Sequence, residues 1–222
     1  MILYTAKNGV YYNLEDFRQD LSDLAENGFT NKIYINMTNR CSCACTFCLR
    51  SLKEFNEHNS LWLREEPTVE EVKAEFMKYD WSHVAEIIFC GFGEPTMRLD
   101  DLVEVGAWLK SVHPDIPIRV NTNGLSDLVF EKETAPCLKG IVDTVSISLN
   151  SSDAQKYLDI TRNHFGLPSY QAMLDYAKDC QKYVPHVVMT VVDIIGEEEV
   201  KACQKVCDDN GLTLRVRPYE AN

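Results

Sequence analysis

Residues 32–48 read KIYINMTNRCSCACTFC, a short apolar run followed at once by a loop that carries four cysteines. The run Lys32–Met37 has the length of a strand, and continuous apolar runs of this kind are typical of parallel strands covered on both faces. In parallel α/β folds the functional loops follow the carboxyl ends of the strands. The sequence therefore predicts a functional site just after this strand.

Five more runs of this type follow along the chain. The six predicted strands are Lys32–Met37, Ala85–Cys90, Pro117–Val120, Thr144–Leu149, His186–Val192 and Thr213–Arg217. Helix signals separate them: a capping box of Thr68 and Glu71, a start at Asp100 or Asp101, a start after Ser169, and a helix from about Glu197 to Asn210 that Gly211 ends. Alternating strands and helices predict an α/β fold of parallel strands.

The number of units limits the architecture. A closed eight-stranded barrel typically needs about 250 residues, so six units predict a partial (β/α)6 TIM-like barrel or a doubly wound sheet. The stretch Leu14–Ala25, with apolar residues at positions 17, 21 and 24, predicts an additional amphipathic helix. We expect a short N-terminal helical extension, residues 1–31, and one main domain, residues 32–222.

Composition excludes several classes of function. The net charge of −12 over 222 residues disfavours nucleic acid as a partner, because phosphates attract surfaces rich in Lys and Arg. The apolar runs are too short to span a bilayer, and the N-terminus has no signal-peptide pattern, so we expect a cytoplasmic protein with no membrane association. Nine cysteines are an odd number and are partly clustered, which indicates metal binding rather than a disulfide framework.

The cysteine loop has the spacing Cys41-x3-Cys45-x2-Cys48, with Cys43 between the first two. Three thiolates on one loop can hold three corners of an iron–sulfur cubane and leave the fourth iron open to another ligand. Thiolates also suit zinc, for which Cys43 or His58 would supply a fourth ligand. The spacing thus leaves open a second possibility, a non-enzymatic zinc-binding α/β module.

This spacing, the aromatic Phe47 before the last cysteine and the lead-in Thr38-Asn39-Arg40 resemble the radical S-adenosylmethionine (SAM) superfamily. The resemblance implies the partial barrel over residues 32–219. It further implies that Cys41, Cys45 and Cys48 bind an oxygen-sensitive [4Fe–4S] cluster whose open iron is chelated by SAM, and that Phe47 packs near the cluster and the adenine. It gives Cys43 no role.

Two further segments resemble SAM-binding motifs of this superfamily. Gly91-Phe92-Gly93-Glu94-Pro95 is similar to the Gly-Gly-Glu-Pro motif, which implies contact between Gly91–Glu94 and the SAM amino group. The ending Asn121-Thr122-Asn123-Gly124 is similar to one that places polar side chains, here Asn121 and Asn123, near the ribose or the methionine end. Each segment is also compatible with an ordinary turn at the end of a strand.

Two later strands carry the remaining resemblances. Ser148 and Asn150, two residues apart, are expected to point the same way and, by the resemblance, to contact the SAM carboxylate and ribose hydroxyls. The stretch from Val192 to Glu199 is similar to the adenine-supporting motif Gly-x-Ile-x-Gly-x-x-Glu, with Val192 in place of the first glycine. A glycine followed by glutamates is equally typical of a helix start.

The resemblance also implies an activity. SAM is cleaved reductively to a 5′-deoxyadenosyl radical that abstracts hydrogen from a substrate, and a low-potential donor such as flavodoxin or ferredoxin supplies the electron. The lead-in before Cys41 and the sequel Cys48-Leu49-Arg50 look most like the TatD-family-associated radical SAM proteins, which implies a TatD-like metal-dependent hydrolase as a partner. A protein and a small molecule remain open as substrate.

Overall fold

The computed structural model describes residues 1–17, 21–22, 24, 27–29, 31–52 and 60–218. The strands are β1 Leu3–Lys7, β2 Val10–Asn13, β3 Lys32–Ile35, β4 Glu86–Phe89, β5 Ile118–Thr122, β6 Thr144–Ser148, β7 His186–Val192 and β8 Thr213–Arg217. The α-helices are α1 Leu49–Leu52, α2 Val69–Phe76, α3 Leu99–Val112, α4 Ser126–Phe130, α5 Ala154–Thr161, α6 Pro168–Cys180 and α7 Glu197–Asp209.

The chain divides into two compact units. The first comprises residues 1–40, 53–120 and 220–222, and the second comprises residues 41–52 and 121–219. In the first unit β1 pairs antiparallel with both β2 and β3, and β3, β4 and β5 pair parallel in that order. In the second unit β6, β7 and β8 pair parallel. Parallel neighbours require crossovers, and the intervening helices provide them.

The predicted parallel strands are all present, and each observed end lies within two residues of the predicted one. The strands β7 and β8 have the predicted bounds. Side chains of the parallel strands contribute to the core of each unit. Ile33 and Ile87 are fully buried in the first unit, and Ile147 and Met189 in the second. The predicted α/β fold with mostly parallel strands is therefore confirmed, because β3–β5 and β6–β8 pair parallel.

The N-terminal stretch differs from the prediction. Residues 3–13 form the β1–β2 hairpin, which turns at Asn8 and Gly9 with φ of 50° and 73°, the backbone that an Asn-Gly hairpin turn requires. The predicted helix Leu14–Ala25 begins instead as a 3-10 turn, Leu14–Asp16, and residues 18–20, 23 and 25 lie outside the described residues. Leu14, Leu21 and Leu24 are buried, so the apolar spacing marks core residues without requiring a continuous helix.

The helix signals are mostly confirmed. Thr68 and Glu71 form the capping box of α2, and Gly211, with φ of 66°, follows α7 as predicted. The start of α3 is Leu99, directly after a 3-10 turn, rather than Asp100 or Asp101. The start of α6 is Pro168, since proline suits the first helical position. Across the described part of the chain, no helix combines the length and the apolar character needed to cross a membrane.

Candidate active site

The cysteine loop lies in the second unit and is bound to the end of α5. The backbone N–H of Ala44 donates to the Thr161 carbonyl, and that of Thr46 donates to the Ile160 carbonyl, both at 2.9 Å. The last carbonyls of a helix have no partner within the helix. The loop therefore satisfies these carbonyls and is held against the end of α5. The N–H of Cys48 then donates to the Cys45 carbonyl at 3.1 Å, and α1 follows at once.

The four thiols of this loop differ in exposure and acidity. Cys43 is 5% exposed, whereas the other three are partly exposed. Hydrogen bonds to Cys41 and Cys45, together with burial, raise the pKa of the Cys43 thiol. The hydrogen bond from Cys43 holds the pKa of Cys45 below its ordinary value. The thiolate is the form that binds metal, so these two shifts favour Cys45 over Cys43 as a ligand.

The remaining two thiols have their own surroundings. The backbone N–H of Cys43 donates to the Cys41 sulfur at 3.4 Å. Burial raises the pKa of the Cys48 thiol, against which the nearby Arg50 guanidinium acts. Arg50 also donates to the Cys43 carbonyl at 3.1 Å, so a positive charge stands beside the loop. Positive charge and N–H donors both favour the thiolate form of such a loop.

Asn123 faces the cysteine loop. Its Nδ2 donates to the Ser42 hydroxyl at 3.0 Å and lies 3.5 Å from the Cys43 sulfur and 3.9 Å from the Cys41 sulfur. Its Oδ1 accepts from the N–H of Leu125 at 3.0 Å. The predicted site residue Asn123 is thus brought to the predicted metal ligands by hydrogen bonds within the second unit.

Asn121 presents a different feature. Its Oδ1 is buried and has no hydrogen-bond partner among the described residues. A buried acceptor without a donor costs free energy, so such an atom marks a position where a donor is missing. The predicted site residues Ser148 and Val192 are the last residues of β6 and β7, and both are partly exposed.

Asn150 lies beyond the end of β6 and has a φ of 64°. The alternation that would make Ser148 and Asn150 point the same way therefore does not reach Asn150, because alternation holds only within a strand. Asn150 instead lines a cavity of about 270 Å³. The other lining residues are Ser151, Lys156, Ile160, Ile195 and Glu199.

Glu199 braces one wall of this cavity. Its Oε1 accepts from the Ser151 hydroxyl at 2.8 Å and from both the N–H and the hydroxyl of Ser152 at 2.8 and 2.9 Å. Its Oε2 accepts from Lys156 at 3.2 Å. These hydrogen bonds, led by the Ser152 N–H, hold the pKa of Glu199 at about 2. Glu199 ends the stretch that resembles the adenine-supporting motif, and it is thus an anion whose hydrogen bonds join α7 to the loop after β6.

In the first unit, the loop Gly91–Glu94 packs tightly on the lead-in to the cysteines. A Cβ on Gly93 would lie 2.2 Å from the Thr38 carbonyl oxygen and 2.7 Å from that of Arg40. The N–H of Glu94 donates to the Arg40 carbonyl at 2.8 Å. Gly93 is therefore required by the close approach of two backbones rather than by a turn.

The other residues of the Gly91–Glu94 loop also contact neighbouring groups of the first unit. A Cβ on Gly91 would lie 2.0 Å from Asn36 Oδ1, so Gly91 is required by a neighbouring side chain. The Glu94 carboxylate is 5% exposed and accepts from both the N–H and the hydroxyl of Thr96. Phe92 is 6% exposed and meets Trp62 edge to face at 5.4 Å, so its ring belongs to the core of this unit.

The lead-in has partners that the sequence did not indicate. Asn39 donates to the Leu63 carbonyl at 2.8 Å and accepts from the Leu63 N–H at 3.1 Å. Arg40 donates to both carboxylate oxygens of Glu66 at 3.0 and 2.9 Å, and the Thr38 hydroxyl donates to the same group. Although partial burial acts in the opposite sense, these bonds hold the pKa of Glu66 below its ordinary value. Neither Leu63 nor Glu66 belongs to a motif.

The donor set of the cysteine loop fits an iron–sulfur cluster. In the described ranges, no three or more Cys, His, Asp or Glu side chains are gathered closely enough to hold a single metal ion. The loop nevertheless carries three thiols at a spacing of four and three residues, one of them disposed to ionise. Cysteine thiolates are the usual ligands of such clusters.

Comparison with known proteins agrees with this chemistry. The model of the Radical SAM superfamily matches residues 35–206. The GTP 3′,8-cyclase of Corynebacterium glutamicum (strain R) is 27% identical over 191 residues, which cover 82% of this chain and 47% of the relative. That of Aquifex aeolicus (strain VF5) is 27% identical over 186 residues, 83% of this chain and 55% of the relative. The chain spans about half the length of these relatives.

Two solved structures share the fold. The structure described as native anSMEcpe with bound AdoMet has a TM-score of 0.58 at 19% identity and covers 83% of this chain and 50% of its own. A radical SAM methyltransferase from Sphaerobacter thermophilus has a TM-score of 0.54 at 11% identity and covers 100% of this chain and 78% of its own. This likeness confirms the predicted fold class, the partial TIM-like barrel of such enzymes.

The cofactor prediction is confirmed at the level of the family, which uses a [4Fe–4S] cluster and SAM. The match begins inside β3, spans the cysteine loop and ends within α7, and so includes most of the chain. The chain belongs to the radical SAM superfamily.

Proposed function

We propose that this chain is a radical SAM enzyme in which Cys41, Cys45 and Cys48 hold the [4Fe–4S] cluster. The observation that carries the proposal is the cysteine loop after β3, with Cys41, Cys45 and Cys48 inside the matched stretch of residues 35–206. When bound, the cluster and SAM together supply the reductive cleavage that yields methionine and a 5′-deoxyadenosyl radical. That radical would abstract hydrogen from a substrate.

The chain's own residues hold and shape this loop. The bonds from Ala44 and Thr46 to the end of α5 fix its backbone, and the bond from Asn123 to Ser42 fixes its middle. Cys43 acts as an S–H donor beside the ligand sulfurs instead of as a ligand. Hydrogen bonds to cluster sulfurs are a means by which proteins set the reduction potential.

Each unit carries residues that the resemblance assigns to SAM. In the first unit, the backbone of Gly91–Glu94 would take the amino group, since Gly91 and Gly93 remain partly exposed in the packed loop. In the second unit, the buried acceptor of Asn121 and the polar groups of Ser148 and Asn150 would take the methionine and ribose ends. Phe47, with 40% of its surface exposed, and Val192 would contribute apolar contacts to the adenine.

The proposal extends to the substrate and the partners. The relatives are named GTP 3′,8-cyclases, which makes a purine nucleotide the first substrate to test. A purine nucleotide is a small anion, so it is compatible with an acidic chain that has a local basic residue such as Arg50. We retain flavodoxin or ferredoxin as the electron donor. The TatD-like hydrolase remains a proposed partner that rests on the lead-in and sequel of the cysteine loop.

The test is anaerobic. The protein is reconstituted with iron and sulfide, reduced with dithionite and given SAM, and 5′-deoxyadenosine is measured by mass spectrometry with and without GTP. We expect 5′-deoxyadenosine from the wild type and from Cys137→Ala, whose thiol is exposed, and none from Cys45→Ala. A colourless protein that takes up stoichiometric zinc and never produces 5′-deoxyadenosine would overturn the proposal in favour of the zinc module.

A further inference from the structure

The segment Leu61–Glu66 in the first unit lies along the lead-in Thr38–Arg40. The side-chain amide of Asn39 both donates to the Leu63 carbonyl and accepts from the Leu63 N–H, so it pairs with this backbone as a neighbouring strand would. Three residues later, Glu66 receives both Arg40 and Thr38. Leu61 and Leu63 are 2% and 9% exposed, so the apolar side of the segment is anchored in the core. The segment is a fixed support rather than a loose loop.

The ion pair of Arg40 with Glu66 orients the two side chains more than it stabilises the folded protein. The Arg40 side chain is 55% exposed and that of Glu66 is 30% exposed. Ion pairs at such exposure contribute little to stability, because water screens them. The contact is nevertheless bidentate, at 3.0 and 2.9 Å, and a bidentate guanidinium–carboxylate pair fixes both groups in one plane. Its main effect is therefore geometric.

The fixed orientation passes to the backbone of the lead-in. The Thr38 hydroxyl donates to Glu66 and at the same time accepts from the N–H of Arg40 at 2.9 Å. The backbone N–H and the side chain of Arg40 are thus both fixed, the first by Thr38 and the second by Glu66. The Arg40 carbonyl, in turn, accepts from the N–H of Glu94, and Gly93 packs directly on it. A continuous series of contacts joins Glu66 to the loop Gly91–Glu94.

We propose that Glu66 is a positioning residue for SAM binding: through Thr38 and Arg40 it sets the place of the backbone of Gly91–Glu94. This inference rests on the proposed function, because the role of that backbone toward the SAM amino group is part of it. Positioning errors well below the length of a hydrogen bond weaken such sites, which depend on fixed main-chain donors and acceptors. Glu66 itself need not touch SAM.

The reconstituted holoenzyme carries the first test. Glu66→Ala should raise the KM for SAM in 5′-deoxyadenosine formation by about tenfold, while iron content and the midpoint of thermal unfolding stay close to wild type. Glu66→Asp should recover part of the affinity because it keeps a carboxylate for Arg40. The control is Glu65→Ala, an exposed glutamate next in sequence, which should leave the KM unchanged. A purely structural role would lower the unfolding midpoint without a separate effect on KM.

A second variant covers the case in which Glu66→Ala does not fold. Arg40→Lys keeps the charge but cannot form the bidentate pair, so it should raise the KM for SAM in the same direction. A wild-type KM in Arg40→Lys or in a folded Glu66→Ala would overturn the inference.

A readout without cofactor separates this inference from the proposed function. Hydrogen–deuterium exchange of the iron-free protein should show faster exchange of the Glu94 amide in Glu66→Ala than in the wild type or in Glu65→Ala. Equal rates would overturn the positioning role even if the enzyme is active. If the wild type yields no 5′-deoxyadenosine, the proposed function fails, while the exchange rates still decide whether Glu66 sets the loop.

Discussion

The side-chain amide of Asn123 donates to the hydroxyl of Ser42 at 3.0 Å, and Ser42 is 7% exposed. This bond joins the residue that follows β5 to the middle of the cysteine loop within the second unit. The resemblance implies a SAM contact for Asn123, whereas its Nδ2 lies among Ser42 and the sulfurs of Cys41 and Cys43. Asn123 is therefore a support of the loop in addition to any contact with SAM.

The Asn123–Ser42 bond can be measured by a double-mutant cycle. Asn123→Ala and Ser42→Ala should each lower the free energy of unfolding by about 1 kcal/mol, and the double variant should lose less than the sum, since both single changes break one bond. Urea unfolding under anaerobic conditions gives the coupling, expected at about 0.5–1 kcal/mol. Gln155 and Asp159, an exposed pair on α5, serve as the control, with a smaller coupling. Strict additivity at Asn123 and Ser42 would contradict the assignment.

The four loop cysteines should divide three to one. Cys41→Ala, Cys45→Ala and Cys48→Ala should each lose the iron and the visible absorbance after reconstitution. Cys43→Ala should keep both, because Cys43 is buried and lies outside the proposed ligand set. Iron and sulfide analysis with absorbance spectra decides the matter. Loss of iron from Cys43→Ala equal to the loss from Cys45→Ala would show that Cys43 belongs to the ligand set.

The two glycines of the Gly91–Glu94 loop should respond differently to a methyl group. Gly91→Ala meets the side chain of Asn36, so the added change Asn36→Ala should restore part of the lost stability. Gly93→Ala meets two backbone carbonyls, which no side-chain change can remove, and we expect a cost of about 2 kcal/mol or more. Chemical unfolding of the single and double variants measures both effects. Rescue of Gly93→Ala by Asn36→Ala would contradict this account.

The hydrogen bonds of the Glu199 carboxylate should make the free energy of unfolding depend on pH in the acid range. The folded-state pKa of about 2 lies below the ordinary value of 4.5, so the unfolded state binds more protons and stability rises with pH in this range. The contribution is fully present above about pH 4.5 and is lost as the pH falls toward 2. Glu199→Gln should thus be less stable than wild type at pH 7, by about 1–2 kcal/mol.

The difference between wild type and Glu199→Gln should shrink on acidification and vanish near pH 2. Thermal unfolding from pH 2.5 to 7 follows it. Glu198→Gln, at a side chain that is 89% exposed, is the matched control and should change stability by less than about 0.5 kcal/mol at every pH. A constant difference across the range would mean that Glu199 keeps its ordinary pKa in the folded protein.

Local patterns were sufficient for the parallel strands and for the ends of several helices. The run His186–Val192 is mostly apolar, and its central residues are largely buried. The capping box at Thr68 is visible within four residues. The sequence does not predict the hairpin, although Asn8-Gly9 is a strong turn signal. The apolar spacing from Leu14 onward favours a helix, and residues 1–31 are therefore assigned to a helical extension.

The supports of the site could not be predicted in the same way. Glu66 lies 28 residues from Thr38 and 26 from Arg40, and nothing in the spacing selects it from the other acidic residues nearby. The side of the turn that Asn123 faces depends on where the cysteine loop packs, which is a contact across 81 residues. Motif resemblance locates residues around a ligand, whereas the contacts that hold them in place depend on the folded chain.

The N-terminal hairpin also bears on how the chain folds while it is being synthesised. β1 and β2 are adjacent in sequence and can pair first, and β3 then joins β1 through Leu3 with Ile35 and Tyr4 with Tyr34. A small antiparallel sheet can thus exist on the ribosome before β4, the first parallel partner of β3, has emerged. One edge of the strand that leads into the cysteines is then already covered, which protects the nascent chain from pairing with another copy.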